Sequence, residues 1–185
     1  QYNNRDLNVN LYAGGYYVNY SQKEIFEGIR AFLNAEYKDF KGLTLLEIGA
    51  GNGTNAEMFL NLGFKIENIY FNELLPERIL AIKSNYPNNI VFEGNAIEID
   101  IDRKFDVIFQ STVFTSILNK VDRELLAEKM LNLLNSNGII IWYDFIYNNP
   151  KNKDVRKVDF RELNMLFAKS SKINFIMILI YINII

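Results

Sequence analysis

The stretch Leu43-Thr44-Leu45-Leu46-Glu47-Ile48-Gly49-Ala50-Gly51-Asn52-Gly53-Thr54 constrains this chain more than any other. Its apolar start reads as a buried parallel strand. Glu47 closes the strand, and three glycines alternate along a tight turn. Ala56, Met58, Phe59 and Leu60 then predict a helix from about Thr54 to Leu62. Strand, glycine-rich turn and helix start together make a nucleotide-binding corner. Glycine lets the backbone turn sharply and lets a ligand approach it closely. The start of a helix adds free N–H groups and a positive dipole end.

Two ligand classes use such a corner. Dinucleotide folds carry G-x-G-x-x-G, with a pyrophosphate on the helix start. Here the spacing is G-x-G-x-G, and a carboxylate stands two residues before the first glycine. That carboxylate repels a pyrophosphate and suits an ammonium group, which disfavours an NAD-type oxidoreductase. S-adenosylmethionine carries both an ammonium and a sulfonium. The run Leu46-Glu47-Ile48-Gly49-Ala50-Gly51-Asn52-Gly53 resembles motif I of the class I S-adenosylmethionine-dependent methyltransferases. The resemblance implies cofactor contacts at Glu47, Gly49, Ala50, Gly51 and Gly53. The competing reading is a tight strand–helix turn that binds nothing.

Composition removes whole classes of chemistry. There is no cysteine and no histidine in 185 residues. Disulfides, thiolate or imidazole metal sites, a cysteine nucleophile and a Ser–His–Asp triad are therefore excluded, and no metal site is expected. A net charge of −2 gives no general electrostatic case for nucleic acid or an anionic membrane. The start is polar and Asn-rich with no evident signal peptide, so a cytoplasmic protein is the simplest expectation. The length suits a single domain with a real core. We divide it as an N-terminal arm and helix (1–40), a cofactor-binding core (41–170) and an apolar tail (171–185).

Tyr2, Tyr12, Tyr16, Tyr17 and Tyr20 mark residues 1–20 as an irregular aromatic arm, either packed on the surface or serving as a lid. Ser21-Gln22-Lys23-Glu24 is a capping box and predicts a helix from about Gln22 to Tyr37. Strand two is expected at Ile66–Asn72, with Glu73 at its end and Pro76 opening the next helix. Ile90–Glu93 reads as strand three and Phe105–Gln110 as strand four. Asp122 can cap a helix carrying Leu125, Leu126, Met130 and Leu131, with Asn137-Gly138 ending it. Ile139–Phe145 is strand five, and Phe160–Phe167 a last helix. Strand and helix alternate, so the expected fold is α/β: a doubly wound, mostly parallel, Rossmann-like sheet with helices on both faces.

An acid at Glu73, about twenty residues past the glycines, is placed to hydrogen-bond ribose hydroxyls; an ordinary surface carboxylate is the alternative. The turn Gly94-Asn95-Ala96-Ile97 stands where the family often has Gly-Asp-Ala. The resemblance implies that Asn95 accepts from the adenine amino group, beside Ala96, with Leu74 and Ile97 flanking the ring. Gln110, Ser111 and Thr112 close strand four beside the strand-order reversal, where such sheets bind ligands. There they are expected to line the methionine end and the acceptor pocket, though Ser111 and Thr112 could equally cap a helix. An oxygen acceptor needs a base, which without His or Cys must be Asp, Glu, Tyr, Lys or water. Asp144, ending strand five, is the catalytic candidate; a structural carboxylate is the alternative. Tyr143 and Arg156 are candidate acceptor contacts, since the arginine fork suits an anionic group. The Asn/Asp-Pro-Pro-Tyr motif of amino-methylating DNA enzymes is absent.

Asn72-Glu73-Leu74-Leu75-Pro76-Glu77-Arg78, Gln110–Ser116, Trp142-Tyr143-Asp144-Phe145 and Asn148–Arg156 are similar to one subgroup of small bacterial class I methyltransferases. The resemblance spans roughly residues 40–170. It implies a setting in surface-polysaccharide or other small-molecule biosynthesis, and hence a saccharide or small-metabolite hydroxyl as acceptor. The family normally finishes with a helix and a strand hairpin. Here Ile173–Ile185 is one apolar run without a turn, too short for a confident membrane span, so the hairpin is expected to be incomplete or atypical. The alternative function is a truncated or degenerate member that binds cofactor or a partner without turnover.

Overall fold

The computed structural model describes residues 16–148, 150 and 152–169. They fall into two units, one reaching Lys38 and the other beginning at Asp39. Tyr2 and Tyr12, Asn149 and Lys151, and the tail from residue 170 lie outside the described residues. The first unit holds α1 (Tyr16–Glu36). Its backbone is already helical at Tyr16, so Tyr16, Tyr17 and Tyr20 belong to a helix and not to an irregular arm. Ser21–Glu24 lies inside that helix and does not start it. A cap is worth only about 1 kcal/mol, which the hydrogen bonds of an added helical turn can outweigh.

The second unit contains β1 (Leu45–Ile48), α2 (Ala56–Leu62), β2 (Ile69–Glu73), α3 (Pro76–Asn85), β3 (Val91–Glu93) and β4 (Phe105–Ser111). It continues with α4 (Lys120–Asn132), β5 (Leu134–Tyr143) and α5 (Phe160–Leu166). All strand pairings are parallel, in the order β3-β2-β1-β4-β5. The chain steps outward from β1 to β3 and then returns to the other side at β4. The reversal therefore falls between β1 and β4, and the C-terminal ends of those strands border the crevice used by ligands in open α/β sheets.

Burial on both faces explains the apolar strands. Register places Leu45 beside Ile69 and Val107, and Glu47 beside Phe71 and Phe109. On this face Phe59 of α2 meets Phe109 edge-on at 5.1 Å, and Tyr86 after α3 stacks on Phe71 at 5.3 Å. On the other face Leu46, Ile48 and Ile108 join Leu126, Ala127 and Met130 of α4, Leu163 of α5, and Phe167. The fold is thus the expected doubly wound α/β arrangement. No helix among the described residues is long and apolar enough to cross a membrane.

Several boundaries differ from the sequence reading. Ile66–Asn68 forms a short 3-10 turn, so β2 begins at Ile69. The N-cap of α4 is Asn119, whose side chain accepts from the Val121 N–H at 3.0 Å; Asp122 sits in the first turn. Helix α4 ends at Asn132, and Asn137-Gly138 lies within β5. There the register slips, with Phe105 opposite Leu134 but Val107 opposite Ile139. A Cβ on Gly138 would stand 2.8 Å from the Leu134 side chain and 3.0 Å from the Phe105 carbonyl. This glycine answers close packing at an irregular strand, not the end of a helix.

Phe105 is wholly buried and meets Tyr70 edge-on at 5.4 Å. Phe105→Ala is expected to cost about 3–5 kcal/mol in urea unfolding, the usual loss for a core phenylalanine. A loss below about 1 kcal/mol would contradict this packing.

Candidate functional site at the sheet reversal

Glu47 is the third residue of the buried strand β1 and is only 1% exposed. Its Oε1 accepts from Asn55 Nδ2 at 2.7 Å, whereas its Oε2 is buried with no hydrogen-bond partner. Burial, and secondarily the neighbouring Glu73, pushes the Glu47 pKa up to about 8 against the lowering effect of Asn55. Asn55 precedes α2 at its N-cap but makes no capping bond with its side chain. That side chain is turned back to the strand instead. Sequence reasoning overlooked this residue because an Asn at a helix start ordinarily signals a cap.

The glycines of the corner answer different demands. Gly49 has φ of +64°, and a Cβ there would lie 2.5 Å from Val113 Cγ2. The segment after β4 thus packs directly onto the first glycine. Gly51 also has positive φ, at +60°, but a Cβ there would meet nothing within 4 Å. Its backbone faces open space at the corner, as close approach by a ligand requires. The Ala50 N–H bonds to the Asn72 carbonyl at 2.9 Å, tying the turn to β2.

Glu73, at the end of β2, is also buried. Its Oε2 accepts from the Gly51 N–H at 2.7 Å, and its Oε1 from the N–H groups of Leu74 and Leu75 at 2.8 and 3.0 Å. It is no ordinary surface carboxylate: three backbone donors hold it across the glycine turn. Beside it, Asn72 Nδ2 donates to the carbonyls of Phe92 and Gly94, joining β2 to the turn after β3. In that turn Asn95 Oδ1 accepts from the Ile97 N–H at 3.1 Å and Nδ2 donates to Glu98. Ala96 and Ile97 are half-buried. Leu74 is 50% exposed, an apolar side chain left uncovered at the strand end.

Gln110, next to last in β4, is fully buried. Its Nε2 donates to the Tyr143 carbonyl and its Oε1 accepts from the Val113 N–H. Both ends of its amide thus brace β4, β5 and the following turn. Ser111 is half-buried, and its carbonyl accepts from Thr112 Oγ1 at 2.7 Å. Thr112 has φ of +59°. A β-branched residue there is strained, by about 1–3 kcal/mol. Tyr143 ends β5, and burial, with Asp144 adding, pushes its pKa up to about 12. Asp144 is buried; its Oδ2 accepts from the Thr115 N–H and its Oδ1 from the Phe145 N–H. Burial raises its pKa despite those donors and the charge of Arg123.

Arg123 is the residue that sequence reasoning missed most clearly. It sits in α4, fully buried. Its Nε donates to the Ile117 carbonyl at 2.7 Å, and its Nη2 to the Arg156 carbonyl at 2.7 Å. Nη1 bonds to the Lys157 carbonyl at 3.2 Å and to Glu162 at 2.8 Å. The Arg156 N–H in turn reaches the Thr115 carbonyl at 2.8 Å, while the Arg156 side chain is half-buried. One guanidinium therefore ties together the segments after β4 and β5 that surround Asp144. A charged residue in a polar stretch of helix reads as solvated, and only the fold shows otherwise.

A family profile described as a methyltransferase domain matches residues 46–142, just over half of the chain. The chain belongs to the methyltransferase-domain family. The span runs from the end of β1 to β5 and so includes the glycine corner, both buried glutamates and the reversal. The resemblance drawn from motif I therefore holds. No curated protein matches the sequence at a significant level. Solved structures with this domain's fold include DesVI of Streptomyces venezuelae, at TM-score 0.55 and 16% identity over 70% of this chain and 51% of that one. CalS10 of Micromonospora echinaspora, an amino pentose methyltransferase solved with S-adenosylmethionine bound, gives 0.55 and 18% over 69% and 50%. The glycopeptide N-methyltransferase MtfA, in complex with S-adenosylmethionine, gives 0.51 and 20% over 63% and 52%. The methyltransferase domain spans about half the length of each.

Arg123→Met is expected to cost about 3–5 kcal/mol in chemical unfolding, because it strands Glu162 and three carbonyls. Arg123→Lys should recover only part of that, since an ammonium lacks the fork. Equal stability of wild type and Arg123→Met would contradict the bracing role.

Proposed function

We propose that this domain binds S-adenosylmethionine at the Glu47–Gly53 corner and serves transfer of its methyl group to a small-molecule or saccharide acceptor. The observation that carries the reading is Glu47 Oε2, a buried acceptor with no donor, in the same corner where Gly51 leaves open space. An unsatisfied buried oxygen is costly, and an α-ammonium would satisfy it. Glu73 is already fixed by three N–H groups, and its remaining lone pairs can accept from ribose hydroxyls. Leu74 and Ile97 offer apolar surface to an adenine ring, with Ala96 beside them. Asn95 Oδ1 keeps one lone pair for its amino group. Ser111 lies toward the methionine end, while Gln110 acts there by bracing the strand ends.

When bound, the cofactor supplies a methyl already activated on sulfonium, so the protein's contribution is chiefly position. Thr112, Tyr143 and Arg156 are the acceptor contacts in this reading. Asp144 is the base, its raised pKa giving it more proton affinity than an ordinary carboxylate. The amino pentose and glycopeptide enzymes that share the fold support a sugar-bearing acceptor. An amine acceptor would need no such base, whereas a hydroxyl would.

Isothermal titration with S-adenosylhomocysteine should show saturable binding, with NAD inert. Gly51→Ala should cost about 1–2 kcal/mol of stability for the left-handed backbone yet weaken binding at least about tenfold by filling the corner. A folded wild type that ignores S-adenosylhomocysteine would overturn the reading. In a methyl-transfer screen of hydroxy- and amino-sugars, Asp144→Asn should lower turnover of a hydroxyl acceptor by about 10²–10⁴-fold. The wild-type rate should rise with pH, because the base works ionised, and the rise should be centred above the usual carboxylate range. Unchanged turnover in Asp144→Asn would remove Asp144 as the base.

A further inference from the structure

Glu47 sits among groups that do not balance its charge. From β2 it faces Glu73, a like charge, and from the end of α3, Tyr86. Neither is a cation, and among the described residues no salt bridge reaches it. The two carboxyls are treated very differently by the backbone. Glu73 receives three N–H donors. Glu47 receives one side-chain amide on one oxygen and nothing on the other. Of two adjacent buried carboxyls, the one with fewer donors is the one that costs less as the neutral acid. Burial and Glu73 both push Glu47 that way, to a pKa of about 8.

We propose that Glu47 is a neutral carboxylic acid while the corner is empty and gives up its proton when a ligand's ammonium enters, so that uptake of the cation releases one proton. The inference rests on the S-adenosylmethionine reading of the site and adds to it a rule of exchange. The Glu47 O–H bond breaks, the proton passes to solvent, and the carboxylate left behind pairs with the arriving ammonium. The corner stays neutral at Glu47, as the acid before binding and as the carboxylate–ammonium pair after it, and the released proton carries the ligand's positive charge to solvent. The corner therefore never holds two unbalanced carboxylates. A nucleoside without an ammonium cannot take part in the exchange.

Calorimetric titration of S-adenosylhomocysteine in two buffers of different ionisation enthalpy, at pH 6.5, counts the protons. About one should be released per ligand bound, with affinity rising about tenfold per pH unit between about pH 6 and 7.5. Adenosine, which lacks the ammonium, should release none. Glu47→Gln, which keeps the shape and the Asn55 contact, should remove both the release and the pH dependence. Binding without proton release, or the same release from Glu47→Gln, overturns the exchange alone. No binding at all overturns the site reading and the exchange with it. Unfolding gives a readout that needs no ligand. A carboxyl with its folded pKa raised contributes stability that is present at low pH and is lost as pH rises toward about 8. Wild type should thus lose stability relative to Glu47→Gln between about pH 5 and 8; parallel profiles overturn the neutral acid.

Discussion

Two carboxyls buried side by side at the ends of β1 and β2 set the terms for the rest of this domain. Burying one carboxylate is expensive unless hydrogen bonds replace its water. The fold meets that cost at Glu73 by turning three backbone N–H groups onto it, one of them from Gly51. This fixes the path of the glycine turn relative to β2. Glu47, one strand away, is left with a single donor from Asn55 and a bare Oε2. The asymmetry leaves the corner with one buried acceptor unmet. The Ala50–Asn72 bond and the contact of Gly49 with Val113 hold it from both sides.

Across the reversal the logic is different. The ends of β4 and β5 are braced by side chains that spend their polar groups on backbone. Gln110 bridges Tyr143 and Val113, and Arg123 gathers Ile117, Arg156, Lys157 and Glu162. Thr112 is held at positive φ between them. Strain of that kind persists only where the surroundings over-determine it, and here the Tyr143 carbonyl receives the Thr112 N–H. The ends of β4 and β5 are thus a braced frame around Asp144, and the ends of β1 and β2 a corner with an unmet acceptor.

Much of this was legible in the sequence because it depends on local rules. A strand, an acid and G-x-G-x-G can be read residue by residue, and alternating elements imply a doubly wound sheet. Glu47, Gly49, Gly51 and Glu73 were all singled out in this way. What escaped depends on distant partners. Asn55 has the chemistry of a helix cap, yet its side chain binds a strand carboxyl. Gln110 was read as a ligand contact, and its amide is bonded to the Tyr143 carbonyl and the Val113 N–H. Arg123, in a polar stretch of helix, is wholly buried. Asn137-Gly138 has the chemistry of a helix stop, yet its role is set by Phe105 on a neighbouring strand. Boundaries failed for the same reason: Asn119 outcompetes Asp122 as the cap only once the backbone enters α4.

The central claim is that the unmet oxygen of Glu47 is the receptor for a ligand's positive charge. A crystal structure of the domain with S-adenosylhomocysteine tests it most directly. The account predicts the ligand's ammonium nitrogen within about 3.2 Å of Glu47 Oε2, with the nucleoside lying over Gly51 toward Glu73. A ligand seated elsewhere, or one whose ammonium points away and leaves Oε2 still without a donor, would contradict it.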